Sequence, residues 1–235
     1  SEGSHNDARA LSADEIDQAM TFARSAFPAF RAASGETRAV FLETIAANLI
    51  ALGDTLIRRA HLETGLSEKR LHSELARTTG HLRMFAAIAR DDSWRDVRHE
   101  PALPGRTPMP RPDLKRTFQP IGPVVVFGSS NFPLAYSVAG GDTASAFATG
   151  NPVVVKAHEA HPGTSEIVAE AIVAAAASSD LPSGIFSLLQ GTGKQIAIPL
   201  ITHPECRAVG FTGSTHAGRI LIDAAARRPD PIPVF

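Results

Sequence analysis

Apolar residues recur at helical spacing through the first hundred positions, then condense into short continuous runs separated by glycine turns. Ser12 followed by Glu15 reads as a capping box, and Ile16, Met20, Ala23 and Phe27 continue on one face. Pro28 predicts that this helix bends or ends nearby. A second helix is expected from Glu36 to Leu52, striped by Val40, Phe41, Ile45, Leu49 and Ile50, with Gly53 and Gly65 punctuating the next turns. From Ser67 onward, Leu71, Leu75, Leu82 and Phe85 predict a longer helix. Its Arg70, Glu74 and Arg77 fall at i,i+4 and i,i+3 spacing, the pattern of a solvated charged face.

Pro101, Pro104, Pro108, Pro110 and Pro112 predict an extended connector, because proline fixes the backbone and removes donors; it is expected to strap over the surface. Beyond Phe118 the pattern alternates. Strands are expected at Val124 to Phe127, Pro152 to Val155, Ile185 to Leu189 and Ala208 to Phe211. Helices are expected at Leu134 to Ala148, Gly163 to Ala177, Ile196 to Thr202 and Thr215 to Ala226. Continuous apolar strands alternating with helices predict an α/β fold, a Rossmann-like, mostly parallel sheet with helices on both faces. Ligands in that architecture collect beyond the C-terminal strand ends, where Gly128, Lys156, Gln190 and Thr212 fall. Ile232 to Phe235 read as a fifth strand only just begun, so the chain is expected to be part of a longer protein, poorly stable and inactive alone.

The chain has 235 residues, enough for one large domain or a domain with a helical accessory. Its 43% hydrophobic and 20% charged residues exclude general disorder. Charge changes the picture more. Up to Phe118 there are 17 Lys and Arg, 16 Asp and Glu and 6 Gly, but afterwards only 6, 8 and 12, which divides a helical part from a strand-and-turn part. The expected organisation is 1–100 as the N-terminal helical part of a cofactor-binding domain, 101–118 as connector and 119–235 as the nucleotide-binding portion. A formal net charge of -1 gives no global attraction to nucleic acid or anionic membrane. One cysteine excludes an internal disulfide and a cysteine-rich metal cluster. Ser1 to Asp7 lack a signal-peptide pattern and no run of 18 apolar residues occurs, so a cytoplasmic protein is expected.

Gly122, Gly128, Ser129, Ser130 and Asn131 read as a small-residue turn leaving a strand, with Phe132 and Pro133 at an expected helix start whose amides could hold an anion. The Asn131 amide could donate to a developing oxyanion. Lys156 either offers three donors at the ligand edge or snorkels off the strand end, and Glu159 either is a loop carboxylate or accepts from a ribose, where it would repel a 2'-phosphate. Gly210 to Ser214 form a second turn opening a helix suited to a pyrophosphate, or one in which Ser214 simply caps the helix. His158, His161 and His203 lack metal-ligand spacing, and Cys206 lacks an activating helix terminus. No metal site is expected.

Gln119-Pro120-Ile121-Gly122-Pro123, Asn131-Phe132-Pro133, Pro152-Val153-Val154-Val155-Lys156, Leu181-Pro182-Ser183-Gly184-Ile185-Phe186 and Gly210-Phe211-Thr212-Gly213-Ser214 occur in the order seen in aldehyde dehydrogenases. The passage Phe127 to Ala146, with Lys156-Ala157-His158 and His161-Pro162-Gly163-Thr164-Ser165, resembles a narrower branch. That branch holds the 2-oxoglutarate semialdehyde (2,5-dioxopentanoate) dehydrogenases and their long-chain, NADP-using relatives. Ser130 stands where many family members carry tryptophan.

The resemblance implies an NAD- or NADP-dependent oxidation of an aldehyde through a cysteine thiohemiacetal and thioester. It makes Asn131 the oxyanion donor, Lys156 and Glu159 contacts to the adenosine ribose, and Gly213 and Ser214 contacts to the pyrophosphate. Lys194 is placed to meet a 2'-phosphate, and Phe132, Tyr136 and Ala139 match substrate-tunnel positions. Glu159 replaces the smaller residue of several NADP-using relatives, so NAD is expected at least to be tolerated. Arg77 or Arg83 could reach a tunnel mouth that meets a substrate carboxylate, against a plain surface role. The resemblance also implies that the glutamate base and cysteine nucleophile lie beyond Phe235, and that the intact enzyme is a homodimer or homotetramer. A long-chain or broad-specificity enzyme, or a nonenzymatic nucleotide-binding module, are the alternatives.

Overall fold

The computed structural model describes residues 11–235, apart from the side chain of Lys194. Residues 1–10, including the stretch without a signal-peptide pattern, lie outside the described residues. Helix α1 (Ala13–Ala32) opens with both halves of the expected capping box. Pro28 neither ends nor displaces it, because the proline forfeits a single backbone bond while Phe30 stays pinned edge-on to Phe41 and Phe147 at 6.3 and 6.0 Å.

Helix α2 (Gly35–Thr64) does not stop at Leu52. It kinks at Gly53, whose φ of 41° and ψ of -121° are non-helical, and resumes to a left-handed cap at Gly65. Phe41, Leu42, Ile45 and Leu49 are buried, whereas Val40 and Ile50 of the expected stripe are nearly half exposed. By length and composition α2 could cross a membrane, yet its buried face belongs to the protein core. Helix α3 (Glu68–Asp91) packs along it, tied by Arg90 to Glu36 and Glu43.

The proline-rich stretch is not a strap. Strands β1 (Arg98–Glu100) and β2 (Leu114–Arg116) pair antiparallel, a Leu103–Arg111 bridge continues the ladder, and all six strand residues are exposed. The prolines thus shape a projecting hairpin arm, where missing donors cost little.

The alternating half follows expectation more closely. Strands β3 (Val124–Phe127), β4 (Val153–Lys156), β5 (Phe186–Leu189) and β6 (Ala208–Phe211) form a parallel sheet in the order β5-β4-β3-β6. Val234 bridges Val209 in parallel, extending the sheet as the sequence predicts. Helices α4 (Gly141–Ala148), α5 (Pro162–Ser178), α6 (Gly193–Thr202) and α7 (Thr215–Ala226) connect the strands. Val124, Val126, Val153 and Val155 pack with α2 to α5 on one face, while Val125, Phe127, Val154 and Val209 pack with α6 and α7 on the other. Helix α1 contributes to both clusters, so the N-terminal helices share the core of the sheet.

One expected helix is largely absent. The periodic apolar residues Leu134, Val138 and Ala139 are buried, but they lie in consecutive turns and α4 starts only at Gly141. Ser129 N–H donates to Tyr136 O, Tyr136 N–H to Phe132 O and Gly140 N–H to Ser137 O. A Cβ on Gly140 would meet Ala135 O at 2.7 Å, so the turn requires glycine there. The result is a compact loop from Gly128 to Gly140 standing over the strand ends.

Candidate active-site cleft

Register sets the site. Phe127 is opposite Lys156 on one side and Phe211 on the other, so three strands end at one level and release their loops together. Between the β3 loop and the β6–α7 turn lies an open cleft of about 660 Å³, lined among others by Ser130, Asn131, Tyr136, His158, Thr212 and Ser214. Gly122 is not part of it. It precedes β3 at the opposite sheet edge, with φ 125° and its N–H donating to Asn151 Oδ1.

Asn131 is exposed at the cleft, and no described residue takes its side-chain amide in a hydrogen bond. Its backbone carbonyl is engaged instead. Arg70 Nη2 donates to Asn131 O at 2.5 Å while its guanidinium lies 4.8 Å from the Phe132 ring centroid. Arg77 Nη2 donates to Tyr136 Oη at 2.5 Å and lies 5.0 Å from that ring, and Phe132 and Tyr136 meet edge-on at 5.1 Å. Between the two arginines, Glu74 Oε1 accepts from Leu134 N–H at 2.8 Å and Ala135 N–H at 3.0 Å.

Two sequence expectations change here. Arg70, Glu74 and Arg77 are not a solvated face, since Glu74 is 5% exposed and all three grip the loop. The amides after Pro133 are not free for an anion, because Glu74 already occupies them. The charge spacing along α3 is a visible signal for these residues, but their partners lie about 60 positions away, which no local pattern reveals.

Lys156 is 4% exposed, and its Nζ lies 2.8 Å from Glu159 Oε1. The same oxygen accepts from Gly193 N–H at 2.5 Å, at the start of α6. Burial works against the Glu159 charge, yet hydrogen bonds from Lys156 and Gly193 hold its carboxyl below the ordinary range. A donor and an acceptor are thus fixed side by side at the strand end, the requirement for gripping a diol. Lys194 follows Gly193 in the first turn of α6, its side chain outside the described positions. On the β6–α7 turn that lines the cleft, Ser214 caps α7 by accepting from Ala217 N–H at 3.2 Å. A Cβ on Gly213 would approach Phe211 Cζ to 2.5 Å, so a bare backbone suits this turn. Together the diol grip, the bare turn and the 12-residue helix start fit a dinucleotide.

Among the described residues, none of His158, His161 and His203 stands in a metal-ligand cluster. His161 is fully buried and its Nε2 bonds Ser129 O at 2.9 Å, tying the β4 and β3 loops together. Burial holds His158 below the ordinary imidazole range, with Glu159 Oε2 at 3.9 Å acting the other way. His203 meets Asp17 at 3.2 Å, and the described residues contain no cluster of three potential metal ligands. Cys206 is fully buried, and burial pushes its thiol up to about 11, so no thiolate forms there near neutrality. Ala139 does not reach the cleft, being 1% exposed within the core, because the turn that replaces the expected helix faces it inward. Arg83 is exposed and lines neither the cleft nor the arginine-rich hollow along α3.

The sequence profile of the aldehyde dehydrogenase family matches residues 4–233. The chain is 55% identical over 221 residues to alpha-ketoglutaric semialdehyde dehydrogenase 2 of Azospirillum brasilense, and 46% identical over 222 residues to alpha-ketoglutaric semialdehyde dehydrogenase of Acinetobacter baylyi. Each alignment covers 94% of this chain but 42% of the relative, so the chain spans less than half their length. Among solved structures, a salicylaldehyde dehydrogenase from Pseudomonas putida G7 superposes with a TM-score of 0.82 at 21% identity, covering 96% of this chain and 44% of that one. At that identity the likeness concerns the fold.

Proposed function

Because this chain belongs to the aldehyde dehydrogenase family, we propose that its cleft is the dinucleotide- and oxyanion-binding half of an enzyme that oxidises 2-oxoglutarate semialdehyde to the dicarboxylate. Alpha-ketoglutaric semialdehyde is another name for that aldehyde, and the identities of 55% and 46% support the substrate. The activity is proposed for a whole protein carrying these residues. The observation that carries it is the placement of an uncommitted Asn131 amide across one cleft from the Gly213–Ser214 turn, with the Lys156–Glu159 pair at the end of the neighbouring strand β4.

Lys156 and Glu159 hold the adenosine ribose, Gly213 and Ser214 the pyrophosphate, and Lys194 stands at the same end for a 2'-phosphate. The bound NAD or NADP supplies the two-electron acceptor for the hydrogen leaving the aldehyde carbon. Asn131 meets the charge that develops on the aldehyde oxygen when a thiolate attacks, and its fixed backbone lowers the reorganisation needed at that moment. Cys206 is not that thiolate. As the family resemblance implies, the nucleophile and the glutamate that activates the hydrolytic water would belong to the rest of the enzyme.

Phe132 and Tyr136 wall the substrate side. The hollow of about 390 Å³ beside Phe132 is lined by Lys69, Arg70 and Arg77 against the single carboxyl of Glu74, an excess of cationic groups that suits the distal carboxylate of a keto-acid semialdehyde. The exposed β1–β2 arm, with free strand edges, supports assembly as a homodimer or homotetramer. A cytoplasmic location accords with a small metabolic aldehyde as substrate. Comparing kcat/KM for 2-oxoglutarate semialdehyde with that for pentanal tests the substrate. A preference of about tenfold or more for the keto acid is expected, and equal efficiencies would instead indicate a long-chain or broad-specificity enzyme.

A further inference from the structure

The loop that carries Asn131 is neither helix nor strand, so its exact placement has to come from something rigid beside it. That support is α3. Arg70, Glu74 and Arg77 stand at i, i+4 and i+7 on one face of this 24-residue helix and all reach the six-residue span Asn131 to Tyr136. The two arginines act from exposed positions, where such contacts contribute little. Glu74 is different: it is 5% exposed, and its Oε1 alone accepts two successive backbone N–H groups. Its Oε2 is buried without a partner among the described residues. Burying a carboxylate half-satisfied is costly, so something has to offset it. The two N–H groups it fixes lie three and four residues beyond Asn131.

We propose that Glu74 is a positioning residue that sets the Asn131 amide by bridging the Leu134 and Ala135 N–H groups. This rests on the dehydrogenase reading above. A displacement of a donor by about 1 Å can cost on the order of a hundredfold in rate, so the bridge acts on chemistry without touching the substrate. It predicts coupling between Glu74 and Asn131, whereas a residue that merely stabilises α3 would act independently.

The test is a double-mutant cycle in the full-length enzyme, read by the single-turnover acylation rate with NAD affinity measured alongside. Glu74→Met keeps the volume and removes the acceptor; Glu74→Gln keeps an oxygen for the same two N–H groups. Glu74→Met should slow acylation ten- to a hundredfold with NAD affinity within about twofold, and Glu74→Gln should recover most of the rate. In an Asn131→Ala background, Glu74→Met should slow acylation less than threefold further. An equal loss in both backgrounds, or a Glu74→Met enzyme with wild-type acylation, overturns the proposal. If Glu74→Met does not fold, Glu74→Asp, which draws the carboxylate back by one methylene, enters the same cycle with the same criteria. A wild-type enzyme that oxidises no aldehyde overturns the functional reading instead, and is recognised before any variant is compared.

Discussion

The ammonium of Lys156 and the carboxylate of Glu159 lie 2.8 Å apart at the end of β4, one nearly buried and the other half exposed. The pair presents a donor and an acceptor to the same space, and in the proposed cofactor pose its negative member would face any group added to the ribose. Glu159→Thr removes that charge. NADP affinity should then rise relative to NAD by about fivefold, ~1 kcal/mol for a repulsion partly screened by solvent. Kinetic constants for both cofactors, wild type against variant, check this; an unchanged ratio removes Glu159 from cofactor choice.

Glu63 gives a stability prediction. Its carboxylate receives the N–H groups of Gly163 and Thr164 at the start of α5, the Thr164 hydroxyl, and Arg59. Burial alone would raise its pKa, but these bonds hold it below the ordinary 4.5. A depressed folded-state pKa means stabilisation fully present above about pH 4.5 and lost as pH falls through the lower folded value. Glu63→Gln should therefore lower Tm near neutrality and show a shallower acid loss than wild type. Glu63→Ala should cost about 2 kcal/mol, as an N-terminal cap with charge-assisted bonds is removed. Thermal melts between pH 3 and pH 7 read both.

Cys206 should be silent in chemistry. With its thiol buried and raised to about 11, it should react with a disulfide reagent at pH 8 only after unfolding. Cys206→Ala should retain aldehyde oxidation at a stability cost of about 1 kcal/mol. Rapid labelling of the native protein, or loss of turnover in the variant, would contradict the buried-thiol account.

Much of this site is legible because strand ends announce themselves. Val124 to Phe127, Val153 to Lys156 and Ala208 to Phe211 are continuous apolar runs, so Asn131, Lys156 and Ser214 are assignable to one sheet edge from the residues alone. The span from Leu134 to Gly140 is not legible in that way. Apolar residues at helical spacing are buried equally well by consecutive turns, and what selects the turns is Glu74, some 60 residues earlier, together with Gly140. The resemblance puts Ala139 on the substrate side, whereas in these turns it lies in the core. Proline, likewise, signals the absence of donors but not the context. Pro28 sits inside a helix, while the prolines after Glu100 build an arm.

Asn131 decides the account. Its side-chain amide lies at the cleft with no hydrogen-bond partner among the described residues, while its own carbonyl is clamped by Arg70. Single-turnover acylation of 2-oxoglutarate semialdehyde by the full-length Asn131→Ala enzyme, with NAD affinity and Tm measured in parallel, is the direct test. Loss of the oxyanion donor should cost about 3 kcal/mol in the transition state, roughly a hundredfold in rate. NAD affinity should stay within about twofold, because Lys156 and Ser214 are untouched. A variant that acylates at the wild-type rate, or one that loses only Tm and not rate, would contradict it.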